Sequence, residues 1–220
     1  MSRIRLWVCI AMVLVSPMCA AEKWLDLFNG KNLKGWERKN GEAIFRVEDK
    51  CIVGQSVPNE PNSFLCTKNE YKNFILEFEF MASPTMNSGV MIRGLSTKEY
   101  QNFRVHGYQV ELEDEAQERD WSGGIYDEAR RGWLFPMKDD AEWGKEFGET
   151  SKGIWRDGQW NRVRVKCDGD KIQTWINGQQ RADLRDDMTT KGFIGLQVHG
   201  VGDREEAMTV RWRRIRIQKL

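Results

Sequence analysis

The sequence predicts an all-β fold, a single antiparallel sandwich of two sheets packed face to face, on three observations. No segment sustains the 3.6-residue apolar period of an amphipathic helix. Short stretches instead alternate apolar and polar residues, as half-buried strands do. Turn dipeptides separate them, among them Asn29-Gly30, Asp168-Gly169 and Asn177-Gly178. With no internal repeat, linker or low-complexity tract, one domain is expected.

At the amino terminus, Arg3 and Arg5 precede ten apolar residues at 6–15, and the small residues Ala20 and Ala21 follow. That run is too short to span a bilayer, so residues 1–21 read as a cleavable export signal and 22–220 as the mature domain. Ser16, Pro17 and Met18 ahead of Cys19 do not form a lipobox, in which a small residue immediately precedes the cysteine. The expected location is the periplasm or the exterior. Losing two arginines and no acid takes the formal charge from +1 to −1. So even a balance offers no electrostatic basis for binding nucleic acid, or a membrane once the signal is gone.

Residues 24–36 hold two turn signals and read as an edge segment, and short strands are expected at 43–47, 51–54 and 64–67. The clearest strand lies at 73–82, where Phe74, Leu76, Phe78 and Phe80 share one face and Glu77 and Glu79 the other. In 86–94 a turn leads into a strand that places Gly89, Met91 and Arg93 on a common side, with Arg93 at its mouth or paired to a neighbouring acid. Residues 136–153 lack a clean period and read as a lid or a packed surface loop. Beyond them, Arg162, Arg164 and Lys166 alternate with Val163, Val165 and Cys167, and a turn leads into 171–176. The strand at 193–199 sets Gln197 and His199 against Leu196 and Val198. At 208–217 the parity shifts between Trp212 and Ile215, the mark of a bulge near Arg213.

Residues 107–133 read GYQVELEDEAQERDWSGGIYDEARRGW. On a strand, Gln109, Glu111 and Glu113 project to one side and Val110 and Leu112 to the other. Carboxylates at i and i+2 lie about 6.6 Å apart at Cα, the scale of the acid pairs used on sugars. The wetted side of an antiparallel sheet has the same look, so the pattern permits chemistry without requiring it.

Cys51 and Cys66 could join neighbouring strands in an oxidising compartment, closing a loop worth about 3 kcal/mol in the chain-entropy model. Cys167 continues an apolar face and reads as buried and unreactive. The two histidines, His106 and His199, show no metal-site spacing, and the acids of 114–120 lack that of a calcium loop. No cofactor is expected.

The segments LFNGKNLKGW, NSGVMIRG, GYQVELED, SGGIYDEARRGW, WINGQ and GFIGLQVHG occur in this order from residue 27 to 200. Jointly they resemble the 3-keto-disaccharide hydrolase family, first catalogued as a domain of unknown function. The resemblance implies a concanavalin A-like jelly roll with its site in the concave sheet. It also implies a carbohydrate substrate, a glycoside whose sugar is oxidised to a ketone at carbon 3. Many members carry Glu and then Gln where this chain has Gln109 and Glu111; others resemble the order found here.

A ketone at carbon 3 acidifies the hydrogen at carbon 2, so cleavage can run through proton abstraction, an enolate and loss of the carbon 1 substituent. That route needs a base, a donor for the enolate oxygen and an acid for the leaving oxygen. The expected assignment gives Glu111 the base, Arg93 the enolate oxygen, and His199 or Tyr126 the leaving-group proton. Gln109, Gln197, Asp127 and Arg130 are expected to hold hydroxyls, Glu113 to sit in water, and His106 to occupy a turn. Two further readings stand beside it. One is a lectin-like carbohydrate-binding module using the same face. The other is a hydrolase of unoxidised glucan, since Glu111 and Glu113 resemble the Glu-x-Asp strand of laminarinase-like enzymes, with Gln109 where that pattern wants an acid.

Overall fold

Alternation gives each strand one apolar face, and the computed structural model, which describes residues 23–113, 120–137 and 139–220, buries those faces between two sheets. The expected signal at 1–21 and the acidic loop at 114–119 lie outside the described residues. In chain order the strands are β1 (Leu25–Asp26), β2 (Trp36–Lys39), β3 (Ile44–Glu48), β4 (Cys51–Gln55), β5 (Ser63–Thr67), β6 (Phe74–Ala82), β7 (Ser88–Gly94) and β8 (Gly107–Leu112). They continue as β9 (Ile125–Glu128), β10 (Gly132–Phe135), β11 (Asn161–Asp168), β12 (Lys171–Ile176), β13 (Gln179–Arg185), β14 (Phe193–Val198) and β15 (Thr209–Lys219). One helix, α1 (Ala141–Glu149), stands between β10 and β11.

The first sheet runs β13-β12-β11-β6-β15-β4-β3, with β1 also on β15, and the second runs β10-β9-β8-β7-β14-β5-β2. Their strands pair antiparallel throughout, so the expected jelly-roll sandwich is the fold observed. Phe74, Leu76, Phe78 and Phe80 of β6 meet Tyr108, Val110 and Leu112 of β8 in one buried core. Each such side chain contributes roughly 1.5–3 kcal/mol. A smaller apolar group, Phe64, Cys66, Met91, Val105 and Phe193, forms separately from it.

The bulge expected near Arg213 is present: β15 shifts register against β6 between Arg213 and Arg216, with Arg214 at φ +52°. A second bulge corrects the placement of Arg93. Pairing of β7 with β14 shifts between Phe193 and Gly195, and Arg93 takes φ +53°. Parity reverses there, so Arg93 leaves the face of Gly89 and Met91 and is fully buried. Its guanidinium donates to Lys72 O at 2.7 Å, Gly169 O at 2.9 Å and Asn73 Oδ1 at 3.3 Å. Arg93 thereby ties the second sheet to the β11–β12 turn and the start of β6.

Cys51 and Cys66 are not joined, because β4 belongs to the first sheet and β5 to the second; both are free and buried, as is Cys167. Burial pushes the Cys167 thiol up to about 12, in keeping with an unreactive core residue.

Residues 136–153, expected as a lid or loop, contain α1. Asp140 caps it by accepting from Trp143 N at 2.9 Å, and Trp143 and Phe147, one turn apart, pack edge-on against Phe135. Buried Arg181 of β13 fastens the far end, donating to Phe147 O at 2.9 Å, Thr150 Oγ1 at 3.0 Å and Ser151. Nine residues give periodicity too little length to register. Among the described residues no helix is long and apolar enough to cross a membrane.

Candidate active site

The face of the second sheet turned away from the core holds a cleft of about 540 Å³. Strand register builds its floor. Glu111 of β8 stands opposite Gly89 of β7, and the Leu196–Val90 pair brings Gln197 of β14 opposite Gly89 from the other side. Gln197 and Glu111 thus flank a position without a side chain, about 10 Å apart at Cα. The next row runs Gly195, Met91, Gln109, Tyr126 and Trp133.

Glu111 is 4% exposed. Its Oε2 accepts from Gln109 Nε2 at 3.0 Å and its Oε1 accepts from Asn87 Nδ2. Two amide donors therefore fix the direction in which the carboxylate points. Among the described residues, Gln109 Oε1, Asn87 Oδ1 and both amide atoms of Gln197 have no hydrogen-bond partner, although Gln109 and Gln197 are buried. An unpaired buried polar group costs about 1–3 kcal/mol, so these atoms suit a ligand rich in hydroxyls.

His199, at the end of β14, bonds through Nδ1 to Gly200 O at 2.7 Å. The neutral ring then carries its proton on Nδ1 and presents Nε2 as an acceptor. Tyr126 and Trp133 make an aromatic wall, edge to face at 5.4 Å, backed by Trp121 at 4.6 Å from Trp133.

Of the residues singled out in the sequence, Glu111, Tyr126, His199, Gln109 and Gln197 line this cleft together. Arg93, Asp127 and Arg130 do not. The β7 bulge removes Arg93. Asp127 lies on the opposite face of β9 from Tyr126, fully buried, and accepts from Arg130 Nε at 2.8 Å and Arg131 Nε at 2.5 Å. Arg130 also donates to Thr189 Oγ1 at 2.8 Å. Neither faces the cleft; Arg130 braces the Asp127 carboxylate, and Asp127 holds a neighbour. That neighbour is Arg131, which does line it, and whose pKa is raised by hydrogen bonds to Asp186 and Asp127.

Glu113 also departs from expectation. It is fully buried, its Oε1 accepts from Trp121 N at 2.9 Å, and it lies outside the cleft lining. Glu111 and Glu113 therefore do not face a ligand as an acid pair. His106 bridges Leu95 and stacks on Tyr100 at 3.8 Å.

Sequence reasoning missed Glu128, Arg131, Asn87, Trp133, Arg104 and Asn62. Glu128 was within its reach, since the alternation used for β8 puts Tyr126 and Glu128 on one face of β9 and Asp127 on the other. Glu128 is 8% exposed, and burial raises its carboxyl above the usual range against the opposing pull of Arg104 and Asn62. Among the described residues no group of three or more His, Cys, Asp or Glu side chains is placed to hold a metal ion.

A family model described as a 3-keto-alpha-glucoside-1,2-lyase-like domain matches residues 23–218. Among solved structures, a glycosyl hydrolase candidate from Parabacteroides distasonis aligns with a TM-score of 0.61 at 20% identity, over 90% of this chain and 94% of that one. Another from the same organism gives 0.60 at 23% identity, over 90% and 100%. The carbohydrate-binding module CBM66 from Bacillus subtilis gives 0.53 at 15% identity, over 86% and 98%. At these identities the likeness is one of fold. Comparison with curated proteins finds no match at the same standard.

Proposed function

The chain belongs to the family of 3-keto-alpha-glucoside-1,2-lyase-like domains, and on that premise we propose that it cleaves glycosides oxidised to a ketone at carbon 3, with Glu111 as base. The Glu111 carboxylate takes the carbon 2 proton, and the electron pair moves into a carbon 2–carbon 3 double bond, leaving an enolate on the carbon 3 oxygen. Collapse restores the ketone, forms a carbon 1–carbon 2 double bond and expels the carbon 1 oxygen, which takes up a proton. Water then adds to the enone. The Gln197 amide replaces Arg93 as donor to the enolate oxygen, while Gln109, His199 Nε2 and Arg131 hold hydroxyls.

One observation carries this reading: a carboxylate aimed by two amides stands across Gly89, over which the Gln109 side chain lies, from a buried glutamine whose amide has no hydrogen-bond partner among the described residues. A base with a donor about one sugar ring away is what enolate formation requires. A second reading, carbohydrate binding without turnover, is favoured by the Tyr126–Trp133 wall, because such rings also pack on sugar faces.

Purified protein incubated with a 3-keto-glucoside and with its unoxidised parent tests the choice. The keto substrate should be consumed through an enone, the parent left intact, and Glu111→Gln should lower kcat/KM by about 10²–10⁴-fold. Turnover of the parent alone, or full activity in the variant, would overturn the mechanism. Binding without turnover of either sugar would select the second reading.

A further inference from the structure

A second hollow of about 500 Å³ adjoins the cleft, and the two share Asn62, Arg104 and Glu128 as a common wall. The cleft side carries the base and the unpartnered amides. The far side is lined by Asn40, Gln101 and Asn102, with no aromatic ring. Glu128 ends β9 opposite Gly107 of β8, so no side chain stands beside it on the neighbouring strand. From Gly107 to Glu111 is four residues along β8, which puts the Glu111 and Glu128 Cα atoms on the order of 14 Å apart. Both glutamates line the cleft, with the Gln109–Tyr126 row between them.

Resting on the reading of the cleft as a 3-keto-glycoside site, we propose that Glu128 is the general acid, protonating the departing carbon 1 oxygen at the junction between a sugar subsite in the cleft and a leaving-group subsite in the adjoining hollow. The two earlier candidates suit the task less well. His199 Nδ1 donates its proton to Gly200 O, a protein acceptor, and so not to the sugar. Tyr126 sits a row nearer the base, opposite Gln109.

Burial raises the Glu128 carboxyl above its usual range, and Asp127 on the adjacent residue acts in the same sense; Arg104 and the Asn62 amide oppose them. Glu111, Tyr126, His199 and Arg131 are the other ionisable groups lining the cleft. In the step itself Glu128 gives its proton to the carbon 1 oxygen as that bond breaks. The carbon 2 proton stays on Glu111 until water enters, so charge and protons balance. The amide side chains of Asn40, Gln101 and Asn102 on the far side can bond the hydroxyls of a leaving group that is itself a polyol, such as a second sugar.

The test compares two 3-keto-glucosides, one with a nitrophenol leaving group that departs unaided and one with an alkyl alcohol that needs a proton. Glu128→Gln should slow the alkyl substrate by about 10²–10⁴-fold and the nitrophenyl substrate by less than about tenfold. The fall in wild-type kcat/KM at high pH should persist for the alkyl substrate and flatten for the nitrophenyl one. Equal losses on both substrates, or none, would overturn the assignment. In wild-type protein, a leaving-group series with rates nearly independent of alcohol acidity supports it without any variant, and a steep dependence refutes it. Wild-type protein inert on both substrates would sink the underlying mechanism, and the role of Glu128 with it.

Discussion

A methyl group at Gly89 would stand 2.5 Å from Cδ and 2.6 Å from Cγ of Gln109, closer than real contacts allow. Those atoms lie inside the buried amide chain, so Gln109 must shift, and with it the bond that aims Glu111. Gly89→Ala is therefore expected to lower kcat/KM on a 3-keto-glycoside by about 10²-fold while the melting temperature moves little. Kinetics alongside thermal melting check this; unchanged kcat/KM would show that Gln109 does not orient the base. Asp127 illustrates the complementary case. It touches no part of the cleft, yet by holding Arg131 together with Asp186 it decides where that guanidinium points.

At the scale of the element, the β7 bulge separates two roles that a regular strand would have merged. Up to Met91 the strand serves the cleft; past it, Arg93 serves the packing of one sheet on the other. A lysine cannot reproduce a guanidinium fork spread over three acceptors on different segments. Arg93→Lys should cost about 2 kcal/mol, or roughly 4–8 °C in melting temperature for a domain of this size. Activity per folded molecule should be retained. Lost turnover with an unchanged melting point would return Arg93 to the chemistry. The helix α1 is likewise a packing element, clamped by Arg181, whose own pKa burial lowers to about 10.

Across the whole molecule, the outer face of the first sheet is stabilised by charge. Glu77 of β6 pairs across the ladder with Arg164 of β11 and Arg216 of β15, and Glu79 with Arg162 and Arg213. The Glu77 carboxylate also accepts from Arg162 at 3.0 Å. Burial alone would raise its pKa, but bonds from Arg216, Arg164 and Arg162 outweigh it and hold the group below its usual 4.5. A lowered folded-state pKa means the contribution is complete above the unfolded value and is lost as pH falls through the folded one. Glu77→Gln should thus cost about 2 kcal/mol at neutral pH, and the gap to wild type should narrow as pH falls from the unfolded-state value through the lower folded-state one. Melting temperatures from pH 7 to 2 test it, and a gap independent of pH would refute it.

The alternation in 73–82, 107–112, 161–167 and 193–199 determined the strands, the sandwich, and the pairing of Gln109 with Glu111 and of Gln197 with His199 on one side of each strand, because strand stereochemistry is a local property of the chain. The same rule, applied to Tyr126 and Asp127, would have found Glu128. The partners of each strand are not local. Only tertiary pairing placed β4 and β5 in different sheets, which separates Cys51 from Cys66, and bulged β7 against β14, which turned Arg93 away from the cleft. Folding alone carried Asn62, Asn87, Arg104 and Arg131 in from turns and loops to complete the site. Side-chain direction along a strand follows from the backbone of that strand, whereas its neighbours, and the shifts in register they impose, are set by contacts many residues apart.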